Sequence, residues 1–171
     1  NIKKIKVGNP FNIMSDQGAI VSKEHLNKII SYVDIAKKEG AKILIGGEKV
    51  GVNGSCSKGW FFEPTVIENF DDNSIVNTDE IFGPIVTLNS FETKDEVLQK
   101  ANNSDYGLAS IIWTEDLKKA RAIANSIESG IVWINCWLER DLRTPFGGIK
   151  NSGYGKEGGK YVLDFFTEQK N

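Results

Sequence analysis

Residues 135–143, NCWLERDLR, place Cys136, Glu139, Arg140, Asp141 and Arg143 within nine positions. A thiol becomes a nucleophile when a nearby base or cation lowers its pKa, and a guanidinium is a planar fork that matches a carboxylate. The segment is therefore either a nucleophile beside an anion clamp or an ordinary loop. No histidine lies near Cys136; the only one, His25, reads as a solvated helix residue, and Cys56 sits in a polar loop as surface. No Cys or His cluster has metal-ligand spacing, so no metal site is expected.

A second constellation is NTDEIFGPIV, residues 77–86. The Glu80 carboxylate can accept bonds from both hydroxyls of a ribose, Phe82 can back a planar ring, and Gly83-Pro84 makes a stiff turn. A purely structural turn accounts for the same residues, and their chemistry alone leaves both readings open. Gly153, Gly155 and Gly158 spell G-x-G-x-x-G. That motif cradles a pyrophosphate only directly after a strand, and here a long irregular stretch follows IVWIN. These glycines read instead as easing the chain into a last helix around GKYVLDFF.

The elements that must position these residues follow from periodicity. From Ser22, Leu26, Ile29, Ile30, Val33 and Ala36 share one helical face, and Gly40 supplies a stop. AKILIGG is a short strand, 51–59 a surface loop, and 60–70 a β-prone stretch that Pro64 confines to an edge or an irregular segment. In the second half, residues 85–91, LASIIWT and IVWIN read as strands. Between them lie a helix opened by a Thr93–Glu96 capping box and another with Leu117, Ala120, Ile123, Ala124 and Ile127 on one face. This β-α-β-α-β order predicts an α/β fold with a parallel sheet covered on both faces, a three-layer (α/β/α) arrangement. Open parallel sheets bind ligands beyond the carboxyl ends of their strands, where 135–143 leaves IVWIN.

The 171 residues fit one domain or one large piece of one, long enough to bury roughly 70% of the unfolded chain's surface. With 21 basic and 23 acidic residues and no block of like charge, neither nucleic acid nor a membrane surface is an expected partner. Two isolated cysteines and no apolar run near the ~20 residues of a membrane span make a reducing cytoplasm the expected location. Asn1 is not an initiator and no signal-peptide pattern follows it, so the chain is expected to be a piece of something longer.

DEIFGP resembles the Glu-[Glu/Ile]-x-Phe-Gly-Pro signature of the NAD(P)-dependent aldehyde dehydrogenases, with Asp79 at its first position. VGNPF, DQGAIV, GGE, GWFFEPTV, ANNSDYGLAS, SGIVWINC and PFGGIKNSGYGKEGG resemble other segments of that family, in the right order over almost the whole chain. The resemblance implies that Glu80 binds the ribose hydroxyls on the nicotinamide side, that Phe82 positions the nicotinamide ring, and that Gln17 lies near the cofactor ribose. NAD or NADP is the implied cofactor, with NAD favoured. In this family an activated cysteine attacks the aldehyde, hydride passes to NAD(P)⁺, and a glutamate-activated water hydrolyses the thioester. Neither the motif of that cysteine nor that of the glutamate occurs here, so no catalytic residue is assigned. Cys136 resembles a fixed small residue at a strand end and not the nucleophile.

Residues 1–171 are thus implied to be the C-terminal portion of an aldehyde dehydrogenase catalytic domain. They carry an incomplete sheet, lack the dinucleotide-binding domain, are expected inactive alone, and come from a homo-oligomeric parent. A truncated remnant acting as a scaffold, or a free-standing nucleotide-binding module, is the rival expectation. For the substrate, Leu138 and Arg140 share a face if the loop is extended. The resemblance places both, with Phe146, along the substrate tunnel. The resemblance implies that many relatives with simple aldehydes carry an apolar or aromatic residue at the place of Arg140. A desolvated guanidinium needs an anion, which implies an aldehyde with a carboxylate at its other end. NCWLERDLRTPFGG is most similar to the subgroup acting on 2-hydroxymuconate and 2-aminomuconate semialdehydes. Arg143 either assists or pairs with Asp141 or Glu139, and the alternative for Arg140 is likewise a salt bridge around the loop.

Overall fold

A computed structural model describes residues 1–69, 71–168 and 170; Phe70, in the β-prone stretch, lies outside them. The chain divides into two compact units, Asn1–Ser90 and Phe91–Asn171.

In the first unit, helix α1 (Lys23–Lys38) starts where the Ser22 hydroxyl accepts the His25 N–H at 3.1 Å. Its predicted face is the buried one: Leu26, Ile29, Val33 and Ala36, joined by Tyr32, while Ile30 packs at the margin. After α1 come strands β1 (Lys42–Ile45), β2 (Lys49–Val50), β3 (Phe61–Phe62) and β4 (Thr65–Glu68), the short helix α2 (Ile75–Thr78) and strand β5 (Ile85–Leu88). The α1 face packs with Phe62, Ile67, Val76 and Ile81 into one cluster. Each fully buried large side chain there stabilises by about 1.5–3 kcal/mol.

The sheet order is β1-β4-β5, with β4 antiparallel to β1 and parallel to β5. Two expectations change. The stretch after Pro64 is no edge: β4 is the central strand, and Thr65, Val66 and Ile67 are buried in succession, as in a strand covered on both faces. Pro64 stands just before the first paired residue, so its missing N–H is never asked to join the ladder; pairing begins with Thr65 N–H on the Pro84 carbonyl at 2.8 Å. The α/β class holds, but not the single parallel sheet: the described strands fall in four sheets with mixed pairing, β5 joins β4, and the strands of LASIIWT and IVWIN form a parallel pair of their own.

The second unit holds helix α3 (Lys94–Asn102), β6 (Tyr106–Gly107), β7 (Ala109–Ile112), α4 (Leu117–Ala124), β8 (Ile131–Ile134), β9 (Ile149–Lys150) and α5 (Tyr161–Phe166). The predicted capping box forms: Thr93 Oγ1 accepts the Glu96 N–H at 3.1 Å. The Glu96 carboxylate reaches back to the Glu92 N–H at 2.8 Å, which holds its pKa below the usual range. β7 and β8 pair in parallel across α4, and β6 pairs antiparallel with β9. At the strand ends Asn135 exchanges two bonds with the Thr114 backbone, at 2.9 and 2.8 Å. The start of the 135–143 loop is thereby tied down.

Candidate functional site

Glu80 and Phe82 lie on the outward face of a turn whose inward residue, Ile81, is buried in the first unit's core. Phe82 adopts φ 57°, a left-handed conformation that is rare for a bulky residue, and its side chain is 77% exposed. The turn is held from behind. Gly83 sits against Ile29, where a Cβ would come within 2.8 Å of the isoleucine side chain. Nε2 of His25 lies 2.6 Å from the Phe82 carbonyl oxygen, and Tyr32 Oη donates to Asp79 Oδ2 at 2.8 Å. A carbonyl only accepts, so Nε2 of His25 carries the proton.

His25 is therefore not a merely solvated residue. Its signal was present in the sequence as helical spacing: it stands four positions before Ile29, on the face that meets the turn. Gln17 is half-buried and donates from Nε2 to the Phe62 carbonyl at 2.7 Å. Its amide thus anchors the 6–17 loop onto β3.

In the second unit, Trp133 anchors the 135–143 loop from below, its buried indole donating to the Glu139 carbonyl at 2.8 Å. The expected alternation of Leu138 and Arg140 does not apply. Asn135 and Leu138 take φ 55° and 56°, so the loop is not extended. Leu138 is 60% exposed. Arg140 is placed instead by two residues outside the loop: its guanidinium stacks 4.0 Å from the Phe146 ring centroid, and Nη2 donates to Glu157.

Phe146 and Glu157 are themselves joined by two backbone hydrogen bonds of 2.8 Å. Lys156 holds the same place by donating to the carbonyls of Gly147 and Gly148, at 2.7 and 2.6 Å. A cavity of about 270 Å³ lies here, with Phe146, Glu157, Tyr154 and Phe165 in its lining. Gly155 of the G-x-G-x-x-G run lines it too; a Cβ there would run into the Phe165 ring, so this position serves close packing. Glu157 was not singled out from the sequence, because no local pattern ties it to a residue 17 positions away.

Arg143 takes the pairing with Asp141 that the sequence left open. Its Nε lies 2.9 and 3.0 Å from the two carboxylate oxygens. The guanidinium, and then the Arg143 backbone N–H, hold the Asp141 carboxyl below its usual range, while the arginine is pushed up by the same bond. Both side chains are exposed, and pairs of this kind contribute little stability. Cys136 is a free, half-buried thiol on the loop that carries Trp137, whose ring lies 5.7 Å from that of Trp133. Among the described residues, no group of three or more His, Cys, Asp or Glu is placed to hold a metal ion. No helix among them is long and apolar enough to cross a membrane.

The profile of the Aldehyde dehydrogenase family matches residues 1–171. The chain is 44% identical over 170 residues to a human 2-aminomuconic semialdehyde dehydrogenase, covering 98% of this chain and 35% of that protein. It is 41% identical over 167 residues to a 2-hydroxymuconic semialdehyde dehydrogenase of Pseudomonas putida, covering 98% and 34%. A crystal structure of betaine aldehyde dehydrogenase from Staphylococcus aureus in complex with NAD⁺ superposes with a TM-score of 0.88 at 45% identity, over 96% of this chain and 33% of that one. The chain thus spans about a third of the length of the relatives it matches.

Proposed function

This chain belongs to the aldehyde dehydrogenase family, and from that premise we propose that it is the C-terminal portion of the catalytic domain of an enzyme that oxidises an aldehyde to the acid. The cofactor is NAD⁺ or NADP⁺, with NAD⁺ favoured, and the substrate is a semialdehyde with a carboxylate at its far end, of the 2-hydroxymuconate or 2-aminomuconate type. When bound, the cofactor supplies the hydride acceptor. Glu80 accepts its ribose hydroxyls and Phe82 offers a ring face to the nicotinamide. The fit rests on the exposure of both side chains and on a turn pinned so firmly that a left-handed phenylalanine persists. Gln17, engaged with the Phe62 carbonyl, supports that wall through the 6–17 loop.

On the substrate side, Phe146, Leu138 and Arg140 line the rim, and Arg140 takes the substrate carboxylate. The observation that carries this is the stacking of the Arg140 guanidinium on Phe146, which presents a flat fork instead of a mobile point charge. Arg143 acts only at a distance, through its pair with Asp141.

In the complete enzyme, Arg140→Ala should raise KM for 4-oxobutanoate, a carboxylated aldehyde, far more than for butanal. Equal effects on the two would sink the carboxylate assignment. The isolated chain should show no NAD⁺-dependent aldehyde oxidation above buffer. A broader-specificity parent enzyme is the second reading, favoured by one observation: Arg140 already has an anion, Glu157.

A further inference from the structure

The Arg140–Glu157 pair carries more than the choice between those two readings. Glu157 stands outside the 135–143 loop, yet it takes Arg140 while the nearer acid Asp141 is engaged by Arg143. Its position is set by backbone and not by chance: the two hydrogen bonds between Glu157 and Phe146 fix the carboxylate beside the ring on which Arg140 lies. Arg140 is therefore gripped by two residues of one bonded pair, its face by the ring and one end of its fork by the carboxylate.

The side chains of Arg140 and Glu157 are 39% and 57% exposed, so water competes with the pair and it is weak. Glu157 engages the guanidinium through Nη2 alone, whereas a carboxylate that spans the fork makes two parallel bonds. A substrate carboxylate thus has the stronger geometry, but to reach Arg140 it must displace Glu157 or sit beside it as a like charge. Both oppose binding of an anion, and neither touches a neutral aldehyde.

Resting on the reading of Arg140 above, we propose that Glu157 is an internal counter-anion that positions Arg140 on Phe146, competes with the substrate carboxylate, and so sets how strongly the enzyme prefers a carboxylated aldehyde to a neutral one. Glu157 acts through Arg140 and needs no contact with the reacting atoms. It holds the guanidinium flat when no anionic substrate is present, and it lowers the advantage an anion gains there.

The test is the ratio of kcat/KM for 4-oxobutanoate to that for butanal in the complete enzyme that carries this chain. Glu157→Gln keeps the side chain's size and removes its charge. It should raise the ratio about fivefold, through KM for 4-oxobutanoate, since an exposed charge interaction of about 1 kcal/mol is a fivefold effect. Glu157→Asp retains the charge and should stay near the starting ratio. In an Arg140→Ala background, Glu157→Gln should change nothing. If Arg140→Ala lowers the ratio but Glu157→Gln leaves it unchanged, lowers it, or moves both substrates in parallel, the competition is refuted while the clamp stands. If Arg140→Ala itself leaves the ratio unchanged, the carboxylate reading fails first, and this proposal with it.

Discussion

The turn at 79–84 and the loop at 135–146, proposed above to face cofactor and substrate, are held in opposite ways. The turn is nailed to a core: Ile81 is buried, Gly83 lies against Ile29, and the side chains of Glu80 and Phe82 reach outward. The loop is held at its ends by the Asn135 bonds to Thr114 and the Phe146–Glu157 backbone pair, and between them by one indole bond, aromatic and guanidinium stacking and exposed ion pairs. A dinucleotide asks for a fixed wall. A substrate-selecting rim can be adjustable, and weak, exchangeable contacts make it so.

The largest break in this contrast is Ile29→Ala. It removes the side chain beneath Gly83 and part of the α1 face at once, and urea denaturation should show a loss of about 2–5 kcal/mol. No single substitution in the 135–143 loop should match it. Next comes Arg140→Ala in the complete enzyme, expected to lower the 4-oxobutanoate preference about tenfold, or roughly 1.4 kcal/mol, with little change in stability. A large drop in melting temperature from that substitution would show that the loop is part of the core after all.

His25→Ala is a smaller, local change. It removes one hydrogen bond to the Phe82 carbonyl, worth about 1 kcal/mol, and should speed exchange of the Asp79 and Ile85 amides that flank the turn about fivefold without altering the rest of α1. Unchanged exchange there would mean that packing alone holds the left-handed phenylalanine.

The smallest effect belongs to Asp141. Its carboxyl is lowered in the folded chain, so the stability it contributes is present above the unfolded aspartate pKa and is lost as pH falls through the lower folded value. Side-chain NMR titration should show a midpoint below an ordinary aspartate, raised toward it by Arg143→Ala and by high salt but not fully restored, because the backbone N–H of residue 143 still donates to the carboxylate. The turn at 79–84 should be indifferent to the same salt.

Much of the fold was legible. The α1 face, the Thr93 cap, the strands at 85–88, 109–112 and 131–134, and the family motifs all rest on local spacing, and local spacing encodes which side of an element is buried. The exposure of the acid and aromatic of DEIFGP was not legible: their types left a structural turn and a ligand site both open, and only the fold turns Ile81 inward between them. The centrality of β4 was not: Pro64 argued for an edge, and only the order of pairing shows that its missing N–H falls outside the ladder.

By itself, then, the sequence determined the longer elements, their buried faces, the family, and the residue types offered at each surface, whereas the short α2, β2, β6 and β9 went unread. The tertiary structure decided the partners. His25 meets Phe82 across 57 positions, and Glu157 meets Arg140 across 17 because a backbone pair brings Phe146 and Glu157 side by side. Which charge neutralises which depends on chain paths that no local period records. For that reason a role for Arg140 could be proposed from its type and the family resemblance, while its partner Glu157 emerged only from the fold.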